Sequence, residues 1–515
     1  MVALGILLSR VVGLVRTRIF GHYLGTGDAA DAFTTAFRIP NILQNLLGEG
    51  ALSASFIPVY AGLLNRDDPE SARKVARAVG ALIMLLVTLA VAVGVLAAPW
   101  LTDLVAGGFA GEKRALTIRL VRILFPGAAL LVVSAWCLGI LNSHRRFFLS
   151  YAAPVSWNVA MIAALLGFGP SSDPEQLVRY VAWGSVAGSL LQVMVQLPTV
   201  LKVLGGLVGS MRGVGRHVGI VLHNFGPAVL SRGVVQISAY VDTLIASYLP
   251  TGGQSSLGYA LTLYNLPVSL FGMSVSAAEL PEMAGEAGAG EERAAYLRER
   301  LRLGLRQIAY FVVPTTWTFV FLGHVVVGAL YQSGRFTAAD TDFVWAILAG
   351  SAIGLLATTL GRLYSSTFYA LQDTRTPAYL ALVRVGINVL LGWALALHAP
   401  RLLGVEPRWG AAGLTIAFSI TGWIEFALLR RALVSRIGAP APNRGYLTRL
   451  WTATGLSVAL GWGLLFAFGA LHPILRAVVV LGAFGAAYFG VTLALGVPEA
   501  RALLRRVRRG TGAAA

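Results

Sequence analysis

Charged residues are scarce in this sequence, and cysteine is almost absent. Asp, Glu, Lys and Arg make up 12% of the 515 residues, whereas 56% of the residues are hydrophobic. Soluble domains carry about a quarter charged residues, and the mean hydropathy here is +0.72. The single cysteine, Cys137, excludes an intrachain disulfide. This composition excludes an ordinary soluble domain and indicates a chain that crosses a membrane many times.

The sequence also lacks the short motifs of soluble enzymes. It contains no GxxxxGK[ST] phosphate-binding loop, no HExxH or CxxC metal motif and no GxSxG nucleophile turn. The net charge of +18 is spread along the chain rather than gathered into one soluble basic patch, which argues against nucleic-acid binding. No connecting segment is long enough to hold a nucleotide-sugar site, so a membrane glycosyltransferase is also disfavoured. We expect no catalytic residues.

Long apolar runs dominate what is present. A membrane-spanning helix needs about 20 mostly apolar residues, and the runs predict an all-α polytopic protein with 14 transmembrane helices. With the N-terminus inside, the predicted cytoplasmic segments hold 25 Lys and Arg residues and the opposite segments hold 6. The positive-inside rule then places both termini in the cytoplasm. The second run, 29–63, is too long for one straight span, and Pro40 and Pro58 are expected to kink or break it.

Two polar connections divide the chain. Residues 286–307 are predicted to form an amphipathic segment on the cytoplasmic surface, and the Pro-containing segment 437–445 separates the last two helices. We therefore predict an N-lobe of six helices over 1–216, a C-lobe of six helices over 217–436, and two further helices with a basic tail over 437–515. Related halves of this kind are common in transporters.

Charges inside the membrane are the candidate functional groups. The first helix carries Arg10, Arg16 and Arg18 in "LSRVVGLVRTRIFG" (8–21), and a central arginine costs about 2.5–3.5 kcal/mol on insertion scales. At 100° per residue, Arg16 and Arg18 point almost oppositely. Arg18 lies near the outer edge, where a long side chain reaches the interface. We predict Arg10 and Arg16 as cavity residues and Arg18 as an edge anchor.

The second helix adds a polar stripe. Asp31, Arg38, Asn45 and Glu49 fall within 40° of one another on an ideal helix. Such a stripe predicts a wet cavity or a tight interhelical network, with Asp31 and Glu49 as counter-charges. The excess of arginine favours an anionic ligand, and the guanidinium fork suits phosphate.

Further charges lie in later helices. Asp242 is a lone mid-helix acid and therefore a candidate ion or proton site, with structural pairing as the alternative. Arg384 and Glu425 are also embedded in predicted spans.

Several segments together carry a family resemblance. They are the opening stretch, "DAADAFTTAFRIPNILQNLLGEGALSASFIPVY" (28–60), "LNSHRRFF" and "APVSWNV" (141–159), "LYNLPVSLFGMSVSAAELPEM" (263–283), "LYQSGRFTAAD" (330–340) and "FYALQDTRTP" (368–377). The sequence resembles the MurJ (MviN) family of lipid II flippases, within the superfamily of multidrug and polysaccharide exporters. The resemblance implies two six-helix lobes around a central cavity, with two last helices that form a groove for the lipid tail.

The resemblance also implies roles for single residues. Arg10 and Arg16 match the essential first-helix arginines of the family, and Asp31, Arg38 and Glu49 match charged positions of its second helix. Gln44 and Thr262 stand where the family has cavity arginines, so this cavity would hold fewer cations. Asp242 matches an acid of the family's sodium site and Asn388 matches a further ligand, while Gly392 stands where an acid would help. Coupling to sodium, to protons or to the membrane potential stays open, and no organic cofactor is implied.

The implied function is movement of lipid II from the inner to the outer leaflet of the bacterial cytoplasmic membrane by alternating access, for peptidoglycan synthesis. An exporter of another polyprenyl-pyrophosphate-linked glycan remains an alternative because of Gln44 and Thr262. A non-transporting scaffold for cell-wall enzymes is a second alternative, which the costly buried arginines disfavour. The expected partners are lipid II, membrane lipids and cell-wall synthesis enzymes, and we expect a monomer.

Overall fold

The computed structural model describes residues 2–206, 209–210, 213–285, 290–438 and 444–512. Within these ranges the chain is almost entirely helical. The first nine α-helices are α1 (Val2–Leu24), α2 (Asp28–Leu47), α3 (Glu49–Asn65), α4 (Pro69–Leu96), α5 (Ala98–Val105), α6 (Gly111–Ser143), α7 (Phe147–Phe168), α8 (Pro174–Leu204) and α9 (Gly215–Ser247). The others are α10 (Gly253–Pro267), α11 (Ser274–Ala284), α12 (Gly290–Phe321), α13 (Gly323–Tyr331), α14 (Ala338–Ala352), α15 (Leu355–Ala370), α16 (Arg375–Trp393), α17 (Ala399–Leu402), α18 (Gly410–Ile437), α19 (Arg444–Phe468), α20 (Pro473–Ala494) and α21 (Pro498–Gly512).

Local sequence signals explain where several helices begin and end. Asp173 precedes α8, and its side chain accepts a hydrogen bond from the backbone N–H of Gln176, while Pro174 occupies the first helical position. The same helix ends at Gly205, whose φ of 68° places it in the left-handed region that favours glycine. Thr337 and Asp340 form a reciprocal capping box at the start of α14.

The described helices confirm an all-α membrane protein, although the count of 14 spans is not confirmed. Eleven helical segments among the described residues are long and apolar enough to cross a membrane, or twelve if the bent pair α12–α13 is one span. Each of the 14 predicted runs is helical. The two runs outside these twelve form α1 and α9, and both carry charges within the helix.

The second predicted run is broken, but not at a proline. Pro40 lies inside α2 and Pro58 lies inside α3, and the break falls at Gly48, whose ψ of −137° is not helical. A Cβ at position 48 would clash with the carbonyl oxygen of Gln44, so glycine is the residue that permits this geometry. The run is thus broken, but at Gly48 rather than at Pro40 or Pro58, because membrane helices tolerate proline when neighbouring groups satisfy the freed carbonyl.

The segment predicted to be amphipathic over 286–307 is joined to the span that follows it. Its described part, from Gly290 onward, is continuous with the following apolar run in the 32-residue helix α12. The predicted span 307–330 is instead interrupted at Leu322, where α12 and α13 meet at a bend of 79°. Polar and apolar segments of the sequence therefore share one helix here, and the break falls inside the apolar run.

The helices form two compact units. Unit 1 comprises residues 1–255 and 334–336, and unit 2 comprises 256–333 and 337–515. Unit 1 thus includes α9, the seventh predicted span, which the sequence assigned to the second lobe. Unit 2 includes α19 and α20, which pack against each other. The lobe boundaries at 216 and 436 remain predictions.

Each unit has its own apolar core. In unit 1 a cluster of buried side chains from α3, α4 and α6 includes Phe56, Tyr60 and Trp136. In unit 2 a cluster that includes Tyr310, Leu450 and Tyr488 packs α12, α19 and α20 together. Inside a membrane such cores are held together by close packing, because lipid tails are as apolar as the buried side chains. The unit 1 core also packs against Leu43 and Leu47 of α2, the helix that carries Asp31 and Arg38.

Candidate functional site

The first-helix arginines differ in their surroundings. The side chain of Arg10 is exposed, whereas Arg16 and Arg18 are half-buried. The Cζ atom of Arg16 lies 4.8 Å from the centroid of the Trp157 ring on α7, within the range of a cation–π interaction. Its Nη1 atom also lies 3.9 Å from the Sδ atom of Met161. Arg16 is therefore held against α7 by an aromatic face and a thioether.

A row of aromatic rings connects α1, α2 and α7 beside these arginines. The ring centroids of Phe20 and Phe33 are 5.2 Å apart, and those of Phe33 and Phe37 are 6.2 Å apart. Phe37 in turn lies 5.8 Å from Trp157, the ring that Arg16 covers. Because Phe37 directly precedes Arg38, the row links the neighbourhoods of Arg16 and Arg38 within unit 1.

Arg38 is bound to α9. Its Nη1 atom donates a hydrogen bond of 2.7 Å to the hydroxyl oxygen of Thr243. The hydroxyl of Tyr240 donates to the backbone carbonyl of Arg38 at 3.2 Å. Asp242 lies close enough to attract the guanidinium electrostatically. The structure thus brings together Arg38 and Asp242, which the sequence had assigned to a substrate site and to an ion site.

Asp31, at the start of α2, is surrounded by a cation and several hydrogen-bond donors. Its side chain is wholly buried, and its Oδ2 atom is 2.7 Å from the Nζ atom of Lys113 on α6. The same carboxylate accepts hydrogen bonds from the backbone N–H groups of Gly252 and Ser255 and from the Ser255 hydroxyl. Asp31 and Arg38 therefore have different hydrogen-bond partners on α6, α9 and the segment 252–255, and the polar stripe along the second helix stays a prediction.

Four further residues were predicted to bind the substrate, namely Gln44, Asn45, Glu49 and Thr262. Gln44 and Asn45 are half-buried near the end of α2. Glu49 begins α3, beyond the break at Gly48, and its side chain lies outside the described residues. Thr262 belongs to unit 2, where its hydroxyl donates to the carbonyl of Gly258 in its own helix.

The two predicted cation ligands belong to different units. Asp242 lies in unit 1, and Asn388 lies in unit 2, where its buried Oδ1 accepts a hydrogen bond of 3.3 Å from the Thr421 hydroxyl. Among the described residues no group of three or more His, Cys, Asp or Glu side chains converges as a metal site. A sodium site at these residues stays a prediction.

Unit 2 contains an apolar groove. It has a volume of about 320 Å³, and its walls come from α12, α20 and the π-helical segment Val268–Met273, with Leu503 of α21 at one side. Phe271, Phe311 and Phe484 contribute aromatic surface, and Thr315 and Thr318 are among the few polar lining residues. A groove of this composition suits a hydrocarbon chain.

This arrangement of helices has the fold of polytopic membrane transporters. It is similar to a solved structure described as "Lipid II flippase MurJ, inward closed conformation", with a TM-score of 0.77 and 22% identity over 98% of this chain and 99% of that chain. It is also similar to an inward-facing multidrug resistance MATE family transporter of the MOP superfamily, with a TM-score of 0.66 and 18% identity over 84% of this chain and 94% of that one.

Sequence comparison identifies the family. Residues 20–489 match the family model "Lipid II flippase MurJ". The "Probable lipid II flippase MurJ" of Rhizobium meliloti is 32% identical over 98% of this chain and 95% of its own length. The "Lipid II flippase MurJ" of Burkholderia cenocepacia is 31% identical over 88% of this chain and 86% of its own length. The chain belongs to the MurJ family.

Sequence reasoning missed the partners of the key charges. These partners lie 82 to 205 residues away along the chain: Trp157 and Met161 at Arg16, Thr243 at Arg38, and Lys113 at Asp31. Arg384 and Glu425 were noted separately, and the structure joins them in an ion pair of 2.8 Å. Helical periodicity places residues on a face of one helix, but it does not say which helix packs there.

Proposed function

We propose that this protein flips lipid II from the inner to the outer leaflet of the bacterial cytoplasmic membrane, as a transporter rather than an enzyme. Membership of the MurJ family carries the proposal, and the arginines of unit 1 support it. Lipid II has a pyrophosphate, and Arg10, Arg16 and Arg38 are cations that stand on helices α1 and α2. We propose that these three side chains bind the pyrophosphate. Transport would then proceed by alternating access.

The setting of the arginines supports anion capture. Arg16 is already oriented by the Trp157 ring and Arg38 by the Thr243 hydroxyl. A side chain that is ordered before binding loses less conformational freedom when the ligand arrives. Guanidinium groups bind phosphate oxygens through two parallel N–H donors. Exposed Arg10 would make the first contact, and the two ordered arginines would then fix the pyrophosphate.

The lipid tail needs an apolar path, and we assign it to the groove in unit 2. The groove is lined by Phe271, Phe311 and Phe484 and adjoins α20. A polyprenyl chain would replace ordinary lipid there at little cost, because both environments are apolar. The head group and the tail would thus be held by different parts of the chain.

Ion coupling is a further part of the proposal. Asp242 attracts Arg38 electrostatically, so an anionic head group that engages Arg38 would leave the Asp242 carboxylate with less positive charge beside it. A sodium ion or a proton would then bind Asp242 more readily. We expect Asp242→Asn to abolish any dependence of flipping on sodium or proton gradients while lipid II binding is retained.

We also propose that both termini lie in the cytoplasm. The excess of Lys and Arg in the corresponding segments supports this orientation. Cys137 is buried and is the sole cysteine of the sequence, so a Cys137→Ala background permits single-cysteine mapping. Thr511→Cys should react with an impermeant thiol reagent only after the cells are opened, and Ser171→Cys should react in intact cells.

Complementation tests the function directly. Cells depleted of their own flippase should be rescued by the wild-type chain, with lipid II exposed on the outer leaflet as the readout. Arg10→Ala and Arg16→Ala should insert normally and fail to rescue, and Arg16→Lys should rescue partly because a charge remains without the fork. Arg401→Ala, which removes an exposed cation in unit 2, is the matched control and should rescue fully.

The same experiment separates the alternatives. Full rescue by Arg10→Ala and Arg16→Ala would contradict the proposed binding of pyrophosphate by these arginines. It would favour the hypothesis of a non-transporting scaffold for cell-wall enzymes. Native mass spectrometry of the purified protein identifies the bound lipid. A polyprenyl-linked glycan other than lipid II would favour the second exporter hypothesis, which Gln44 and Thr262 keep open.

A further inference from the structure

A further cavity lies in neither the arginine region of unit 1 nor the apolar groove. It is a cleft of about 590 Å³ in unit 2, between the start of α16 and the end of α18. Arg375, Thr376 and Tyr379 line it from α16, and Leu428, Arg431 and Ser435 line it from α18. We call these six residues, with Leu380 and Ala432, the α16–α18 cleft.

The α16–α18 cleft is positively charged without an acidic wall. None of its lining residues is acidic, and Arg375 and Arg431 both have exposed side chains. No ion pair to either guanidinium occurs among the described residues. A pair of cations that converge on one cleft without a counter-charge attracts an anion.

Asp373, two residues before Arg375, is already engaged by other groups, including the backbone N–H of Arg375. The carboxylate of Asp373 accepts hydrogen bonds from the hydroxyl and the backbone N–H of Thr376, and its Oδ2 atom is 2.7 Å from Nη2 of Arg436. The hydrogen bonds from Thr376 and the charge of Arg436 hold the pKa of Asp373 below its usual range. Asp373 therefore stabilises the start of α16 and leaves Arg375 and Arg431 for another anion.

The cleft changes character along the helices. Arg375 and Thr376 lie in the first turn of α16, and Tyr379 and Leu380 lie one turn deeper. On α18, Ser435 lies nearest the end, and Leu428 lies about 10 Å further in at 1.5 Å per residue. Tyr379 is 67% exposed, as expected for an aromatic ring at a membrane interface. The cleft is thus cationic near the helix ends and apolar further in, which suits a phosphate group that carries acyl chains.

We propose that the α16–α18 cleft binds the head group of an anionic membrane phospholipid. Arg375 and Arg431 contact the phosphate, Tyr379 lies at the glycerol level, and the acyl chains follow Leu380 and Leu428. The cleft lies at the end of the helices that the charge distribution predicts to be cytoplasmic, and basic pockets between helices on that side commonly bind acidic lipids. This site is separate from the arginines assigned to lipid II.

Lipid titration tests the proposal on the purified full-length protein. Phosphatidylglycerol and phosphatidylcholine with the same acyl chains are titrated into neutral detergent micelles, and binding is followed by native mass spectrometry. We expect wild type to prefer phosphatidylglycerol. The Arg375→Gln/Arg431→Gln variant should bind it at least about tenfold more weakly, because two charge-assisted contacts are lost. The Arg119→Gln/Arg401→Gln variant removes two exposed cations outside the cleft and should bind as wild type does.

Three outcomes of the lipid titration would overturn the proposal. They are equal binding of both lipids by wild type, unchanged phosphatidylglycerol binding by Arg375→Gln/Arg431→Gln, and an equal loss in the control variant. A parallel titration with inorganic phosphate distinguishes a lipid from a free anion. Binding of phosphate as tight as the binding of phosphatidylglycerol would contradict the lipid assignment. Arg375→Lys/Arg431→Lys keeps the charge and should retain part of the binding, which guards against a folding defect. No measurement here depends on flipping, so failure leaves the proposed function intact.

Discussion

The ammonium nitrogen of Lys113 lies 2.7 Å from a carboxylate oxygen of Asp31, and the Asp31 side chain is wholly buried. Asp28 also reaches the same lysine, at 2.9 Å, but its side chain is 58% exposed. The two acids therefore share one cation while they differ in burial. Removal of a partner from a buried ion pair is far more costly than removal of an exposed one.

This difference predicts that Asp31→Asn destabilises unit 1 by about 3 kcal/mol. The amide would lose the charge that faces Lys113 and could not accept all the N–H donors of residues 252–255. Thermal unfolding of the purified protein in detergent measures the effect. Asp28→Asn is the matched control and should cost less than about 1 kcal/mol. Equal shifts for the two variants would contradict a structural role for the buried carboxylate.

The ion pair between Arg384 and Glu425 predicts a charge-swap rescue. The two groups are 2.8 Å apart with side-chain exposures of 19% and 16%, and Arg384 also lies 4.6 Å from the Phe418 ring centroid. Glu425→Gln should destabilise unit 2 by about 3 kcal/mol, because it leaves a cation in an apolar setting. Arg384→Glu/Glu425→Arg should recover part of the loss in the same unfolding assay. A double variant no better than the sum of the single variants would show that the pair is not coupled.

The helix break at Gly48 predicts that Gly48→Ala impairs the protein. A methyl group there would press on the Gln44 carbonyl, whereas a Cβ at Gly62 in α3 would meet open space. We expect Gly48→Ala to cost about 1–3 kcal/mol through the clash with the Gln44 carbonyl and to reduce lipid II flipping in the complementation assay. Gly62→Ala should be close to neutral in both measurements. A neutral Gly48→Ala would mean that the break moves without penalty.

His144 predicts a dependence of stability on pH. Its Nε2 atom lies 3.0 Å from the Tyr60 hydroxyl, and burial, with a smaller contribution from Arg146, lowers the pKa of His144 below its ordinary 6.5. The unfolded chain therefore binds a proton at higher pH than the folded chain. The contribution of His144 to stability is fully present above pH 6.5 and is lost as the pH falls below that value.

Unfolding midpoints between pH 8 and pH 5 measure this dependence. His144→Gln should show a flatter profile than wild type over the acidic half of the range, and His472→Gln, at an exposed histidine, should keep the wild-type profile. Identical profiles for wild type and His144→Gln would exclude this residue as the source.

Much of the fold could be predicted because apolar length is a local signal. Every predicted run is helical, although several are divided into two helices, since about 20 consecutive apolar residues leave few other ways to satisfy the backbone in a membrane. The break in the second run was misplaced, because proline suggests a break by itself, whereas the need for Gly48 depends on how close the Gln44 carbonyl lies. The partner of Asp31 could not be predicted for a similar reason, because Lys113 is 82 residues away along the chain.

The contacts of Asp31 with Lys113, Gly252 and Ser255 also set an order of events during synthesis. Asp31 enters the membrane with α2, Lys113 arrives with α6, and the last component is the turn at 252–255. Until the ribosome has produced about half of the chain, the carboxylate has no backbone donors from that turn. The first helices are therefore inserted with an incompletely satisfied acid, and the native form of unit 1 is completed only after its final helix, α9, has been made.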